Sequence, residues 1–260
     1  MKSYSPLIFF GLILFLIPFT SAHSLEEAIN SKDRSVKNVK RDQYRNPYET
    51  LSFFEIKQDM KVVELSPGGG WYTEILANYI HAPGILIAAH FDKNSERAFY
   101  VRMRNSFENK INQNPMYKNV SIVDLSSKLA EAETVDAVLT FRNLHNWIGP
   151  QIDIIFSNAH MALKKGGILG VVEHRANPGT SLEEMKKTGY VTEEYAIKIA
   201  EKHGFTLISK SEINANPKDT KDYARGVWTL PPVLRLKDDD KQKYIAIGES
   251  DRMTLLFKKI

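Results

Sequence analysis

The amino-acid sequence predicts an α/β fold in which a mostly parallel sheet carries helices on both faces. Three observations predict it. From Lys61 to Ile80 the chain passes from a short apolar strand through three consecutive glycines into a helical pattern. Downstream, apolar runs of strand length alternate with amphipathic helical stretches, the arrangement of parallel strands joined by crossover helices. Near the C-terminus the strand candidates Phe205–Ile213 and Met253–Phe257 have no clear helix between them, so they pair antiparallel and the final strand is reversed.

Composition narrows the function classes. At 260 residues the chain suffices for one large α/β domain or two small ones. Charged residues at 25% and hydrophobic residues at 43% exclude disordered and collagen-like chains. The formal net charge of +4 is dispersed along the chain, so neither a nucleic-acid partner nor a polybasic membrane patch is indicated. The chain has no cysteine, which excludes disulfides, thiolate catalysis, cysteine-ligated metals and lipid anchoring at a cysteine.

Taken in order, the chain opens on Lys2 and an apolar run of 13 residues, Leu7 to Phe19, shorter than the roughly 18 of a spanning helix. Thr20-Ser21-Ala22 supplies the small residues a signal peptidase reads. Residues 1–22 therefore read as a signal peptide cleaved after Ala22; the competing reading is an uncleaved N-terminal anchor. Residues 23–45 read as an N-terminal helical arm. Ser24 and Glu27 have capping-box spacing ahead of a helix starting at Leu25, and 32–45 is basic and polar. Such an arm either closes over a ligand or is a solvated leader. Asn46-Pro47 marks a stop and restart, with Leu51, Phe53, Phe54 and Ile56 packing ahead of the first strand.

In the Lys61–Ile80 stretch, glycines at 68, 69 and 70 let the backbone turn sharply and approach a ligand, and the following helix adds unpaired N–H groups at the same place. A nucleotide-like ligand is the functional reading; close packing of helix on strand is the plain one. Ile85–Phe91 is the next strand, Ser95–Gln113 a helix, and Val120–Val123 a strand ending at Asp124. Val135–Phe141 is a further strand. Pro150 suits a first helical position, with a stripe of Ile152, Ile155, Phe156, Ala159 and Leu163 ended by Gly166-Gly167. Ile168–Val172 is a buried strand. Thr192 caps a helix that Gly204 stops. Residues 214–251 form an insertion too long for a hairpin loop. Placed at the carboxyl edge of the sheet it would serve as a lid, docking through Trp228, Leu230, Val233 and Leu234, or else be a surface elaboration.

From about Asn46 onward the chain resembles the class I S-adenosylmethionine-dependent methyltransferases. Glu64-Leu65-Ser66-Pro67-Gly68-Gly69-Gly70 looks like their first motif, acidic-x-Gly-x-Gly-x-Gly, with Ser66 at the first glycine. Leu163-Lys164-Lys165-Gly166-Gly167-Ile168-Leu169 looks like their turn into the fifth strand. More narrowly, VVELSPGGGWYTEIL, LTFRNLHNW, INANPKDTKDY and GVWTLPP are similar to a group of exported methyltransferase-like bacterial proteins. The resemblance implies a Rossmann-like methyltransferase fold over 46–260, with seven strands and the last reversed. It also implies S-adenosylmethionine as cofactor, a small or lipid-like acceptor, and a periplasmic location with no stable membrane span after signal cleavage.

By that resemblance Glu64 sits near the cofactor's amino-acid end, and Ser66, Gly68 and Gly70 form the turn under its methionine and ribose. The ribose-binding acidic residue falls at His90, a departure; either His90 donates to a hydroxyl or Asp92 takes the role. Asp124 matches the acceptor of the adenine amino group, with Leu125 beside it. Arg142 to Trp147 follows the fourth strand and Glu173-His174-Arg175 the fifth. Methyl transfer needs mainly alignment; where the acceptor needs a base, His145 or His174 could supply it. His145, Glu173 and His174 are possible ligands for zinc or another divalent ion, but no helix-spaced pair fixes their geometry, and no metal is expected.

Two other classes bear on the same residues. A nicotinamide dehydrogenase would call for Gly-x-Gly-x-x-Gly and an acidic residue ending the second strand, where this chain has Ser-x-Gly-x-Gly and His90. A binding or accessory protein that kept the fold and lost transfer is the remaining alternative, favoured by export and by the departures at Ser66 and His90.

Overall fold

The computed structural model describes residues 24–260; the expected signal segment and the expected cleavage after Ala22 lie outside the described residues. The arm consists of α1 (Leu25–Ile29), α2 (Val36–Val39) and α3 (Asp42–Arg45). The capping box at α1 forms as its spacing implies: the Ser24 side chain accepts from the Glu27 N–H, and the Glu27 carboxylate accepts from the Ser24 N–H at 2.6 Å. Asn46 takes a left-handed conformation (φ 40°) and Pro47 starts α4 (Pro47–Phe53), so the stop and restart is one tight corner.

Then come β1 (Lys61–Leu65), α5 (Trp71–Tyr79), β2 (Ile85–His90), α6 (Ala98–Gln113), β3 (Val120–Asp124), β4 (Val135–Phe141), α7 (Leu144–Trp147), α8 (Pro150–Ala162) and β5 (Leu163–His174). The chain finishes with α9 (Leu182–Thr188), α10 (Glu193–Lys202), β6 (Phe205–Ser211), α11 (Lys241–Ile247) and β7 (Arg252–Lys259). One seven-stranded sheet has the order β3-β2-β1-β4-β5-β7-β6, parallel except that β7 runs antiparallel to both β5 and β6. This is the Rossmann-like methyltransferase fold.

The two-residue period of the strands sorts the core into two layers. Val63, Leu65, Val138, Leu169 and Val171 pack with α8 and α10 residues such as Ile155, Phe156 and Ala196. Their neighbours Val62, Ala137, Leu139 and Val172 pack on the other face with Leu51 of α4, Phe54 just beyond it, Ile75 and Leu76 of α5, and Leu25 of the arm.

Four elements differ from the sequence expectation; one is α11 itself, a helix between the last two strands where none was read, although those strands still pair antiparallel. The glycine turn before the fifth strand lies inside β5: Leu163 pairs with Val135 and Ile168 with Ala137, so residues 164–167 bulge out of the ladder. Helix α6 begins at Ala98, three residues beyond the expected Ser95. Helix α9 was not anticipated, although Ser181 caps it by accepting from the Glu184 N–H and Gly189 ends it at φ 76°. These are the start and stop signals of an ordinary helix, hidden by a turn too short to show an apolar stripe.

The sheet order reverses between β1 and β4, and crevices outside the carboxyl ends of strands at such a reversal are where open α/β sheets bind ligands. Among the described residues no helix is long and apolar enough to cross a membrane.

Candidate functional site

The turn leaving β1 has left-handed backbone at Ser66 (φ 49°), Gly68 (φ 58°) and Gly70 (φ 77°). A side chain built on Gly68 or Gly69 would meet nothing within 4 Å, so the space over the turn is open. One built on Gly70 would strike the Phe107 ring at 3.0 Å, because α6 packs against that corner. Gly70 caps α5 without a side chain, and the first N–H groups of that helix lie at the turn.

The turn opens into a cavity of about 470 Å³. Ser66, Pro67, Gly68 and Gly69 line it from the turn and Trp71 from the start of α5. Phe141, Arg142 and Asn143 come from the end of β4, Lys37, Asn38, Arg41 and Arg45 from the arm, and Pro232 from the insertion. Asn143 ties the mouth together: its side-chain amide lies 3.2 Å from the carbonyls of Leu65, Ser66 and Phe141, spanning the ends of β1 and β4. Tyr72 stacks on Phe141 with ring centroids 3.5 Å apart.

Glu64 lies at the end of β1, 2% exposed, and its carboxyl accepts from the Thr73 hydroxyl at 2.6 Å. Burial pushes this carboxyl up to about 7, against the opposing pull of Thr73 and Lys110. It is not among the cavity-lining residues.

His90, Asp92, Asp124 and Leu125 come together at the ends of β2 and β3, where His90 and Asp124 are register partners. Phe91 donates its N–H to His90 Nδ1 at 2.8 Å, so the proton is on Nε2, which donates to the Gly68 carbonyl at 3.1 Å. His90 thus clamps the glycine turn, and burial lowers its pKa and keeps it neutral. Asp92 accepts from the Ser126 N–H and hydroxyl. Asp124 accepts from Arg104 at 2.7 Å and from the Lys93 N–H at 3.2 Å, while its side chain stays 36% exposed. Leu125 is buried and donates its N–H to the His90 carbonyl.

His145, Glu173 and His174 form a second group, with candidate ligand atoms all within 4.8 Å of one another. Adjacent strand ends produce here the proximity that sequence spacing did not reveal. The fully buried Glu173 carboxylate accepts from His145 Nδ1 at 3.0 Å and from the backbone N–H groups of His174 (2.7 Å) and His145 (3.4 Å). Ser250 Oγ holds His174 Nδ1, and burial, followed by the charges of His145 and Arg142, lowers the His174 pKa well below its ordinary value. Trp228 of the insertion meets His145 edge-on at 6.0 Å. Neither histidine lines the cavity beside the glycine turn.

The sequence reading did not single out Arg41, Arg45 or Glu249. Arg41 and Arg45 are four residues apart in a stretch described only as basic, and their partner Glu249 lies some two hundred residues downstream. The four-residue spacing was a signal for one helical face; the long-range partner left none.

Among solved structures the chain is similar to a SAM dependent methyltransferase from Aquifex aeolicus, at 16% identity over 92% of this chain and 100% of that one (TM-score 0.57). It is also similar to geranyl diphosphate C-methyltransferase from Streptomyces coelicolor A3(2), crystallised with Mg2+, geranyl diphosphate and S-adenosyl-L-homocysteine. That likeness is at 10% identity over 90% of this chain and 87% of that one (TM-score 0.60). The [4+2]-cyclase SpnF has the same fold at 14% identity, covering 83% and 80% of the two chains (TM-score 0.59). At these identities the likeness is one of fold. No family model matches the chain, and no curated protein matches it in sequence.

Proposed function

We propose that the chain is an S-adenosylmethionine-dependent methyltransferase acting on a small or lipid-like acceptor outside the cytoplasm, in the bacterial periplasm. The observation that carries this reading is the open glycine turn at the sheet reversal, mouthing into the 470 Å³ cavity. The fold neighbours that are methyltransferases add support. Export rests on the apolar run ending in Thr20-Ser21-Ala22.

The residues present fit the cofactor at the turn: Ser66 Oγ is buried with no hydrogen-bond partner among the described residues, and nothing occupies the space over Gly68 and Gly69. Bound there, the cofactor would supply an electrophilic methyl group. Ser66, Gly68 and Gly70 would hold its amino-acid end and ribose, with Glu64 behind the turn at the end of β1. Asp124, still partly exposed, would accept from the adenine amino group, and Leu125 would flank it. The chain's contribution to transfer is alignment and exclusion of water. The Glu173 carboxylate fixes His145 with its proton on Nδ1, so the ring's other nitrogen is the one able to take a proton from an acceptor.

Calorimetry with S-adenosylmethionine and S-adenosylhomocysteine tests this reading. Micromolar binding of the product, weakened by Asp124→Ala, is expected; no binding of either at high micromolar concentration would sink it. The binding-protein alternative is favoured by one observation, that the His90 N–H is spent on Gly68 instead of facing a ligand. It predicts cofactor binding with no methyl transfer to any acceptor. N-terminal sequencing of the exported protein, expected to begin at His23, tests the location.

A further inference from the structure

The cavity wall contributed by the arm and by β4 carries an imbalance of charge. Arg41, Arg45, Arg142 and Arg252 all converge on the one carboxylate of Glu249, at 2.6, 3.2, 3.6 and 3.6 Å. Four guanidinium groups against one carboxylate leave three positive charges in excess, in a place where the Arg45 side chain is 1% exposed and that of Arg252 4%. Buried charges persist when paired, and this group is short of anions.

Three donors of the cluster are unpaired. Arg252 is served by the carbonyls of Ser250 and Tyr44. Arg45 Nη1 and Nη2 and Arg41 Nη2 are buried and have no hydrogen-bond partner among the described residues, and Arg41, Arg45 and Arg142 line the cavity. Trp71 stacks on the Arg45 guanidinium at 4.6 Å, which holds the group in place through its face and satisfies none of its N–H bonds. Arg142 sits in left-handed backbone (φ 63°), a conformation costly for a long side chain, and its N–H is held by the Val172 carbonyl at 2.6 Å. Ser66, whose buried Oγ is also unpartnered, lines the same cavity.

The cofactor of the proposed function does not supply the missing charge. S-adenosylmethionine carries a sulfonium and an ammonium against one carboxylate and is a net cation. The counter-charge must come with another ligand, and several converging donors with more than one positive charge to neutralise suit the oxygens of a phosphate or diphosphate better than a single carboxylate. We propose that the Arg41, Arg45 and Arg142 face of this cavity recognises a phosphate or diphosphate group carried by the acceptor substrate. The assignment of that group to an acceptor rests on the methyltransferase reading above; the anion site itself does not.

The test is calorimetry of the full chain with pyrophosphate, inorganic phosphate and acetate at constant ionic strength, with and without saturating S-adenosylhomocysteine. Pyrophosphate should bind more tightly than phosphate, acetate should give no heat, and S-adenosylhomocysteine should leave the pyrophosphate isotherm in place. Arg45→Gln and Arg142→Gln should each weaken pyrophosphate by roughly tenfold or more while shifting S-adenosylhomocysteine only marginally. If the buried Arg45 variant fails to fold, the partly exposed Arg41→Gln gives the same readout. No pyrophosphate binding at millimolar concentration, or competition between pyrophosphate and S-adenosylhomocysteine, overturns the proposal. Binding of S-adenosylhomocysteine alone would leave the cofactor reading standing without the phosphate site. Binding of pyrophosphate alone would keep the phosphate site and overturn its assignment to an acceptor.

Discussion

Two arginine clusters at the carboxyl edge of the sheet are built from the same residue types and solved differently. Around Arg175 the chain supplies every acceptor. Nε and Nη2 reach Asp251 at 3.0 and 2.9 Å, Nη1 reaches Glu193 at 3.1 Å, and both Nη atoms reach Glu212 at 2.8 and 2.7 Å. The hydrogen bonds it donates to Glu212 and Asp251 push Arg175 further above its ordinary range. Around Arg45 burial first, and the neighbouring Arg142 second, push the guanidinium well below it. Of the charged residues lining the cavity of about 320 Å³ beside Arg175, Arg175 pairs with Glu193 and Asp251, and Lys221 pairs with Asp251. The Arg175 cluster is a tie between strand ends; the Arg45 cluster is complete only with something added. Charge balance therefore separates scaffold from site more sharply here than cavity size does.

Glu249→Gln tests the contrast with the largest expected effect. It would leave four guanidinium groups facing one another with no carboxylate, and a loss of about 3–5 kcal/mol of stability at neutral pH is expected, read by chemical denaturation. Arg175→Met in the balanced cluster should cost less, about 1–2 kcal/mol, because its side chain is 18% exposed and Lys221 still pairs with Asp251 at 2.8 Å. Equal losses would break the comparison. Acid sharpens it. Burial alone would raise the Glu249 carboxyl, but Arg45, Arg142, Arg252 and Arg41 overcome burial and hold it at about 2. A depressed carboxyl contributes its stability above the ordinary value of 4.5 and loses it as pH falls from there toward about 2. Denaturation from pH 5 down to 2 should show that loss in the parent chain and a smaller one in Glu249→Gln.

Glu64 gives the opposite sign and a somewhat smaller effect. It is buried with a hydroxyl for a partner, and burial raises it from 4.5 to about 7. The folded state then holds a proton that the unfolded state releases, so stability falls as pH rises from about 4.5 through about 7 and is level beyond. Glu64→Gln, which can still accept from Thr73, should flatten that slope and be the more stable form at pH 8, by about 3 kcal/mol at most. Thermal melts between pH 5 and 9 that run parallel for the two proteins would refute the assignment. An ammonium brought to Glu64 would favour its ionised form, so cofactor binding near pH 7 should release a proton in the parent chain and none in the variant. Calorimetry in buffers of different ionisation enthalpy measures that proton.

How much of this was legible in the sequence follows the range of each signal. The glycine turn and the capping box at Ser24 depend on residues close in the chain and were readable; the reversed last strand was readable from the order of the strand candidates, although an insertion separates the pair. His90 and Asp124 were placed at strand ends correctly. Their present partners, the Gly68 carbonyl and Arg104, depend on how α6 and the turn pack and left no trace in spacing. The same holds for the group at His145, Glu173 and His174, where β4 and β5 are neighbours in space and separated in sequence by α8. The unbalanced cluster was the least legible feature, because its cations come from the arm, β4 and β7 and its one anion from the insertion. An excess of charge appears only once all four segments are placed.

Ser66 makes the smallest expected change and bears most directly on the cavity mouth. It stands where the resembling motif has a glycine, in left-handed backbone at φ 49°, and its buried Oγ has no partner among the described residues. Both features cost stability in the ligand-free chain. Ser66→Gly removes the strained side chain and the unpaired hydroxyl, offset in part by the greater freedom of glycine in the unfolded chain. A gain of about 0.5–1 kcal/mol is expected in denaturant titrations. If the hydroxyl is there to meet a ligand, the same substitution should weaken pyrophosphate or S-adenosylhomocysteine, and the ligand affected tells which side of the cavity mouth Ser66 serves. A destabilised Ser66→Gly protein would show that the hydroxyl already has a partner, and the Arg45 cluster would then lose one of the donors that mark its cavity as incomplete.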